Sequence, residues 1–447
     1  MRRAFSPARA LVASFALVIL LGTVLLRQPW AAAPGRQLSW AEAVFTATSA
    51  TCVTGLAVRP PADHTVAGQF VIIGLIQVGG LGIITFGLFF ALLAGGRLSL
   101  FGRELVLSSL AHQPWEDFWP LLRVVVGATL AVEGAGAVLL AAAWWGEKGV
   151  LAIPWGAFHA VSAFCNAGFG LHASSLIPWR DNPFVIVPVG LLIVCGGLGF
   201  LPLAELFARF TRRSRRPLSL HTRMALTVTA ALLLIGWAGF ALLEAGTTLA
   251  GLSFGERALA VWFQGITPRT AGFASLDYGA MTGATLIFTM MLMFIGASPG
   301  STGGGVKTTT VGVLLSVMVA RVRAHRQVSA LGRGIRPATV ATAIVVLTLA
   351  LLTVIAGMMA VSVCEHGISG GAPGSATVLW EAFDVISAFG TVGLSTGITP
   401  RLQPSSWLVL TVIMFIGRVG PLTLGLALAG RQPHVEPRFA EEDLMVG

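Results

Sequence analysis

Residues 45–56 read FTATSATCVTGL, and three further stretches share this pattern without gaps. They read FHAVSAFCNAGF at residues 158–169, WFQGITPRTAGF at 262–273 and FDVISAFGTVGL at 383–394. Each stretch has an aromatic residue ten positions before a glycine and an apolar Leu or Phe directly after it. Internal repeats of this kind indicate several copies of one structural unit. We therefore predict four like-built units, each with one glycine at an equivalent place.

Long apolar runs flank each of the four stretches. Of the 447 residues, 55% are hydrophobic and 11% are charged, whereas a typical soluble domain has about 25% charged residues. A helix needs about 20 apolar residues to cross the hydrocarbon. Runs of that kind start near residues 10, 70, 118, 184, 224, 285, 340 and 407. We therefore predict an all-α polytopic membrane protein with eight membrane spans.

A short amphipathic segment leads into each glycine. These half-helices are predicted to begin near Trp40, Trp155, Phe254 and Trp380, and they are too short to cross a bilayer. Non-helical backbone at membrane depth is stable only inside protein or along a water-filled cavity. We therefore predict four direct repeats of outer helix, pore half-helix, filter and inner helix around one central pore. The predicted boundaries are 1–112, 113–216, 217–336 and 337–430, with a cytoplasmic tail at 431–447.

Arginine is unevenly distributed between the two ends of the predicted spans. The more basic end is expected to be cytoplasmic, which places both termini in the cytoplasm. Contact with anionic membrane lipid is a second role for these residues. Their clustering between spans argues against nucleic-acid binding. The basic end holds Arg2, Arg3, Arg9, Arg97, Arg103, Arg209, Arg212, Arg213, Arg215, Arg216, Arg223, Arg321, Arg323, Arg326, Arg333, Arg336, Arg431 and Arg438.

The residues that follow each half-helix suit a cation filter. A dehydrated cation needs oxygen ligands, and backbone carbonyls supply them when successive peptides point toward one axis. Glycine adopts the positive φ that such a path requires at little steric cost. Each half-helix also directs its partially negative C-terminal end toward the cavity. The predicted filter strips are Val53-Thr54-Gly55, Asn166-Ala167-Gly168, Thr270-Ala271-Gly272 and Thr391-Val392-Gly393.

Two features beside the filter allow more than one interpretation. Ser49, Ser162 and Ser387 lie six residues before their glycines, where they either pack helices together or take part in the filter. The third repeat lacks this serine and instead carries Arg269 near its filter. A positive charge there would reduce cation entry or would pair with an acid such as Asp277.

The inner helix of the third repeat is interrupted. Five glycines and one proline within ten residues disfavour a helix, and the segment falls near mid-membrane. We predict a gate here; a kink or a substrate-site break is the alternative. Two intramembrane positive charges nearby would oppose the passage of cations or hold the loop in place. Glu133 and Glu205 are further candidates, with an ion pair or an interfacial position as the alternative. The predicted gate comprises Gly296, Ala297, Ser298, Pro299, Gly300, Ser301, Thr302, Gly303, Gly304, Gly305, Lys307 and Arg418.

With these motifs together, the chain resembles the Trk/Ktr/HKT potassium transporter superfamily from about Leu11 to Gly430, and it is most similar to the Ktr (KtrB-type) membrane subunit. The motifs are the four filter glycines, SPGSTGGG at residues 298–305, and Arg418. The resemblance implies potassium uptake across a bacterial plasma (inner) membrane, by a homodimer with one pore per chain. In related plant proteins a serine at the first filter glycine accompanies sodium permeation, so Gly55 favours potassium.

The resemblance also implies a cytoplasmic regulator. Members of the superfamily work with a nucleotide-binding ring of the KtrA/TrkA type. Only 17 residues follow Gly430, so we expect the ring to be a separate chain that binds the nucleotide itself. Residues 209–223 and 321–336 are candidate docking surfaces, with a pure topology signal as the alternative. No covalent cofactor is expected; the ions are potassium and, if flux is coupled, sodium.

Three other interpretations fit the sequence less well. A secondary transporter predicts inverted repeats with broken helices in matching halves, whereas the sequence has direct repeats and one predicted break. A membrane-embedded enzyme needs a clustered catalytic set, but His159, His172 and His221 have no metal-ligand spacing and no nucleophile motif is present. A cleaved signal peptide fits the Arg-rich start, but the first repeat requires its first span.

Overall fold

The computed structural model describes residues 7–93, 118–211, 217–367 and 375–429. The predicted tail at 431–447 and the predicted boundaries after residues 112, 216 and 430 lie outside these ranges. So do ten of the basic residues assigned to the cytoplasmic end. These are Arg2, Arg3, Arg97, Arg103, Arg212, Arg213, Arg215, Arg216, Arg431 and Arg438.

The described chain is almost entirely helical and runs through one pattern four times. A long helix is followed by a short half-helix, a turn and a second long helix that is whole in the first repeat and divided in the others. The first repeat contains α1 (Pro7–Leu26), α2 (Trp40–Thr51) and α3 (Val66–Leu93), and the second contains α4 (Phe118–Lys148), α5 (Ala152–Phe164), α6 (Pro183–Leu198) and α7 (Phe200–Phe210). The third contains α8 (Leu220–Leu243), α9 (Phe254–Ile266), α10 (Gly283–Phe294) and α11 (Thr308–Val322), and the fourth contains α12 (Pro337–His366), α13 (Ser375–Gly390), α14 (Pro404–Val419) and α15 (Pro421–Ala429).

The apolar helices identify a membrane protein. Four stretches of the described chain are long and apolar enough to cross a bilayer: Ala8–Leu26, Val125–Phe164, Leu220–Leu243 and Pro337–His366. A fifth span results if the bent pair α6 and α7 counts as one. The remaining apolar helices, which belong to the inner positions of the other repeats, are shorter. The outer helices thus reach full span length, whereas most inner helices do so only in pieces.

Three inner helices are divided, although the sequence predicted only one break. The predicted break, in the third repeat, lies between α10 and α11. In the second repeat, α6 and α7 meet at 105° around Gly199, whose φ is +90°. In the fourth, Gly420 has a φ of +92° and precedes Pro421. The prediction of a single break was therefore wrong, because one left-handed glycine ends a helix as effectively as a glycine-rich run.

Sequence signals fix where the half-helices begin. In α2 the Ser39 side chain accepts from the backbone of Glu42, and the Glu42 carboxylate accepts from the backbone of Ser39, which is a capping box. Ser253 and Glu256 repeat this arrangement at α9. Burial raises the pKa of Glu42, but hydrogen bonds from Ser39 and Arg59 outweigh it and lower the pKa overall. Most of α2 beyond this cap is buried, so the half-helix penetrates the bundle.

Between the third and fourth repeats the chain makes a small two-stranded hairpin. Strands β1 (Ser329–Ala330) and β2 (Arg333–Gly334) pair antiparallel. Basic side chains surround it, and all of them are exposed to solvent: Arg321, Arg323, Arg326, Arg333 and Arg336. The hairpin is therefore an exposed, strongly basic part of the end predicted to be cytoplasmic.

Candidate functional site

The four predicted filter strips meet in a closed ring. A Cβ built on each strip's glycine would touch the carbonyl oxygen of the middle residue in the next strip. The distances are 2.4 Å from Gly55 to Ala167, 2.8 Å from Gly168 to Ala271, 2.2 Å from Gly272 to Val392 and 2.1 Å from Gly393 to Thr54. The last contact returns to the first repeat. The ring therefore has room for glycine alone at all four positions.

The sign of the backbone φ angle alternates along each strip, with positive values at the first and third residues. The strip glycines have φ values of +96°, +69°, +79° and +93°. The first residue of each strip is also left-handed, although none is glycine: φ is +57° at Val53, +59° at Asn166, +68° at Thr270 and +49° at Thr391. Such a conformation costs about 1–3 kcal/mol at a non-glycine residue and persists only when the surroundings impose it. Alternating hand turns successive carbonyls toward one side, as a carbonyl-lined filter requires.

Hydroxyl groups on the half-helices hold the strips in place. Ser49 accepts from the Gly55 amide at 3.1 Å, and Ser387 accepts from the Gly393 amide at 3.0 Å. Ser162 donates to the Phe169 carbonyl at 2.8 Å. These bonds favour the filter-support interpretation of the serines over plain helix packing.

The third repeat achieves the same support with another residue. Thr267, one position after the missing serine, donates to the Phe273 carbonyl at 2.6 Å. The position six before the glycine is Ile266, so the exact repeat pattern does not reveal Thr267. In all four repeats, however, a hydroxyl residue lies within one residue of that position.

A cavity of about 360 Å³ lies on one side of the ring. Its lining includes the four strip glycines, together with Leu56, Phe169 and Leu394. Residues of the turns that follow the strips complete the wall, among them Asp277, Ser395 and Thr399. The ring is therefore accessible from this side, which the charge distribution predicts to be external.

The interrupted segment of the third repeat lies on the other side of the ring. A Cβ on Gly303 would come within 2.2 Å of the Thr270 hydroxyl, and one on Gly304 within 2.2 Å of the Thr391 hydroxyl. Thr270 and Thr391 begin the third and fourth strips. The glycines of the predicted gate thus touch the inner end of the filter directly, which side chains at these positions would prevent.

The segment closes on itself and on the second repeat. A backbone hydrogen bond of 2.9 Å, donated by the Gly296 amide to the Val306 carbonyl, joins its two ends. The Ser298 amide donates to Gly197, and the Phe200 amide donates to Gly300. Thr302 donates from its hydroxyl to the Phe164 carbonyl at 3.0 Å. The loop is therefore an ordered segment held by hydrogen bonds against the bend of the second inner helix.

Two positively charged side chains form hydrogen bonds with the loop. Arg418, which is 3% exposed, donates to the Thr302 carbonyl and to the Gly79 carbonyl at 2.6 Å. It thereby ties the loop to the inner helices of the first and fourth repeats. Lys307 donates to the Gly303 carbonyl at 2.7 Å. Both residues were predicted as part of the gate, and in the structure both contact the loop at residues 296–305.

Other charged residues noted in the sequence have local partners. Arg269 is 7% exposed and donates to Thr229 of α8 at 3.3 Å, so it neither faces the cavity nor pairs with Asp277. Glu133 accepts from Gln77 at 3.2 Å. Glu205 accepts from the Ser219 amide at 3.0 Å. None of the three lines the cavity outside the ring.

Comparison with known proteins gives consistent matches. A family model described as TrkH, a cation transport protein, matches residues 6–435. The chain is 38% identical to the potassium/sodium uptake protein NtpJ of Enterococcus hirae, covering 100% of this chain and 98% of the relative. It is also 38% identical to the Ktr system potassium uptake protein B of Bacillus subtilis, covering 99% of this chain and 97% of the relative.

A solved structure shares the fold. The crystal structure of the potassium transporter TrkH from Vibrio parahaemolyticus superimposes with a TM-score of 0.71 at 20% sequence identity. The alignment covers 92% of this chain and 84% of that protein. At this identity the match concerns architecture alone.

Proposed function

The chain belongs to the TrkH family of cation transport proteins, and on that premise we propose that it is the pore-forming subunit of a Trk/Ktr-type potassium uptake system. The family is one of transport proteins, which confirms the choice of a transporter over an enzyme. The proposal includes eight membrane spans in four direct repeats around a single pore. Uptake proteins for potassium, or for potassium and sodium, are the relatives at 38% identity.

The closed ring of four strips is the observation that carries this proposal. Its alternating backbone supplies carbonyl oxygens from four sides, and such oxygens replace the hydration shell of a monovalent cation. Four half-helices point their C-terminal ends at the ring and add partial negative charge. With Gly55 in the first strip, no side chain intrudes on the ring. The proposed ion is therefore potassium.

Flux is proposed to be controlled by the loop at residues 296–305. It touches the inner end of the filter at Gly303 and Gly304, so an ion leaving the filter meets it. Arg418 and Lys307 hold the loop there and present positive charge to the arriving cation. Opening requires the hydrogen bonds from Arg418 and Lys307 to the loop to break, and it requires no movement of whole helices.

The assembly is proposed to contain two copies of the chain and a separate nucleotide-binding ring on the cytoplasmic side. The exposed basic hairpin around Arg326 and Arg333 is the proposed docking surface. The proposed location is the plasma membrane of a bacterium, with both termini inside and lipid around the outer helices. Potassium, and sodium if flux is coupled, are cargo rather than resident cofactors.

The test is growth at low potassium and rubidium uptake in a bacterial strain without its own potassium uptake systems. The chain is expressed alone and with a nucleotide-binding regulator of the Ktr type. We expect rescue, and we expect Gly272→Asp to abolish it because a Cβ there would lie 2.2 Å from the Val392 carbonyl oxygen. Gly74→Ala is the matched control, since a Cβ at Gly74 meets nothing within 4 Å.

Two outcomes would overturn the proposal. One is failure to rescue in both settings while the protein is present in the membrane. The other is full uptake by Gly272→Asp, because an ion path through the ring cannot survive an acidic side chain inside it.

A further inference from the structure

Helix α7 turns apolar side chains outward. In this helix of 11 residues, Phe207 is 62% exposed and Phe210 is 85% exposed. The two lie three positions apart and therefore side by side on one face. Glu205 and Arg209 are each two positions from Phe207, about 200° around the helix, and so lie on the opposite side. An exposed apolar face opposite a charged one is typical of a helix that lies at a membrane surface.

The position of α7 fits a membrane surface. The helix leaves α6 at an angle of 105°, so it runs across the direction of the apolar inner helix before it. Glu205 accepts from the Ser219 amide at 3.0 Å, and Ser219 is the N-cap of α8, a helix long enough to cross a bilayer. The middle of α7 therefore lies level with the end of a membrane-crossing helix. The charge distribution predicts that this end is cytoplasmic.

The beginning of α7 is bonded to the loop at residues 296–305. The Phe200 amide, the first of α7, donates to the Gly300 carbonyl at 3.0 Å. On the other side of the bend, the Ser298 amide donates to the Gly197 carbonyl at 3.1 Å. Both hydrogen bonds join backbone to backbone, with no flexible side chain between helix and loop. A change in the angle of α7 therefore acts directly on the loop.

We propose that the apolar face of α7 binds the lipid of the cytoplasmic leaflet, with anionic headgroups beside Arg209, and that this contact holds the loop at residues 296–305 against the filter. Phe207 and Phe210 enter the boundary between headgroups and acyl chains, as the apolar faces of interfacial helices do. The contact with lipid follows from the membrane fold, whereas its effect on flux rests on the proposed function.

Charge favours lipid over a second copy of the chain as the occupant of this face. The negative surface potential of the cytoplasmic leaflet attracts basic residues. In the sequence, Arg209 is followed by arginine at positions 212, 213, 215 and 216. A contact between two copies about a twofold axis brings the same surface of each together. Such a contact would place these like charges near one another, whereas anionic headgroups neutralise them.

Spin labels test the contact with lipid. Phe207→Cys and Arg209→Cys are made separately in the full chain, with Ala in place of the partly exposed native cysteines Cys195 and Cys364. The labelled proteins are placed in phospholipid nanodiscs. At position 207 we expect collisions with oxygen, which dissolves among the acyl chains, to exceed those with a water-soluble nickel chelate. At position 209 we expect the reverse.

Two results at position 207 would overturn the proposal. Nickel access equal to that at position 209 would place the face in water. Low access to both reagents would place a second copy of the chain on it. The charge preference is tested in nanodiscs in which about a quarter of the phosphatidylcholine is replaced by phosphatidylglycerol. We expect the label at position 207 to lie deeper there, and an unchanged depth would overturn the preference for anionic lipid.

Rubidium uptake into proteoliposomes of the same two compositions tests the link to the loop. Wild-type uptake without the regulator should be about fivefold lower with phosphatidylglycerol, the effect of one basic residue at an anionic surface. The double variant Phe207→Ser/Phe210→Ser should take up rubidium at the higher rate in both compositions, because α7 no longer enters the lipid. Phe184→Ser is the matched control, since Phe184 is 75% exposed at the other end of the same divided inner helix.

The outcomes separate this proposal from the proposed function. Equal wild-type uptake in both compositions would overturn the link between α7 and the loop, as would a folded double variant that behaves like Phe184→Ser. Absence of wild-type uptake under every condition would instead overturn the proposed function, because the accessibility of the spin labels does not depend on flux.

Discussion

The two ends of the candidate pore differ in how closely they keep the fourfold pattern. At the filter, every strip has the same alternation of φ, and every glycine contacts the next strip in the same way. At the inner helices, no two repeats agree. The first inner helix is continuous over Val66–Leu93, the second bends at Gly199, the third is interrupted by a loop and the fourth breaks at Gly420.

On the proposed function, this difference follows from what each end would have to do. Replacing the water around an ion takes oxygens from all sides, so each repeat has to contribute the same group in the same geometry. Blocking a narrow path takes one obstacle, so a single repeat suffices and the other three are free to serve as its supports. The bend at Gly199 and the Arg418 helix indeed supply those supports. On the proposed function, symmetry is thus retained where ions would be bound and lost where the path would be closed.

A substitution in the ring is expected to have the largest effect on ion selection. Gly55→Ser would place a Cβ 2.4 Å from the Ala167 carbonyl oxygen and displace the oxygens of two strips. We expect the discrimination between potassium and sodium to fall by about tenfold or more, which corresponds to roughly 1.4 kcal/mol. Competition of sodium against rubidium uptake measures it. An unchanged preference would show that the ring does not select the ion.

Deletion of residues 297–304 should change the rate of transport and leave ion preference unchanged. The deletion removes the loop and leaves the strips and their hydroxyl supports in place, so we expect maximal rubidium uptake to rise while ion preference stays as in the wild type. Abundance in the membrane and a monodisperse purified protein are the controls. Unaltered or abolished flux in folded protein would make the loop a structural element instead of a gate.

Arg418→Gln tests the fastening of the loop alone. Hydrogen bonds from a charged donor contribute about 1.5–3 kcal/mol each, and Gln loses the charge and part of the reach to Gly79. We expect the open-to-closed ratio to rise about tenfold, seen as higher uptake without the regulator. A fall in uptake, with the protein folded, would mean that Arg418 assists conduction.

The smallest expected effect concerns the hydroxyl supports. Ser49→Ala and Ser387→Ala each remove one neutral hydrogen bond to a filter glycine, worth about 1 kcal/mol. We expect each to weaken ion discrimination by about fivefold or less, and to the same degree, because the two bonds are equivalent. Measured side by side, clearly unequal effects would show that the repeats contribute unequally to the ring.

Much of the fold was predictable because it depends on short patterns. Apolar runs and Ser-x-x-Glu signals mark helices locally, so the predicted starts near Phe118, Phe254 and Trp40 agree with the observed ones. The register of the four glycines followed from the repeat itself. These features required no knowledge of distant contacts.

The remaining features depend on contacts between repeats. Val53 and Thr391 adopt a positive φ against their own preference, because the ring closes around them. The breaks at Gly199 and Gly420 need only one glycine each, and single glycines are common in membrane helices. Nothing adjacent in the sequence shows that Arg269 turns toward Thr229. Such facts appear only when the four repeats are assembled.

One chain encodes all four quarters of the ring, as VTG, NAG, TAG and TVG. In a ring made of identical subunits, any substitution occurs four times over. Here each quarter is altered separately, so a change in one strip disturbs that strip and the neighbour it contacts and leaves the other two as they were. Ion preference can therefore be adjusted by degrees, and variants with one, two or three altered quarters form a dose series that no homotetramer could provide.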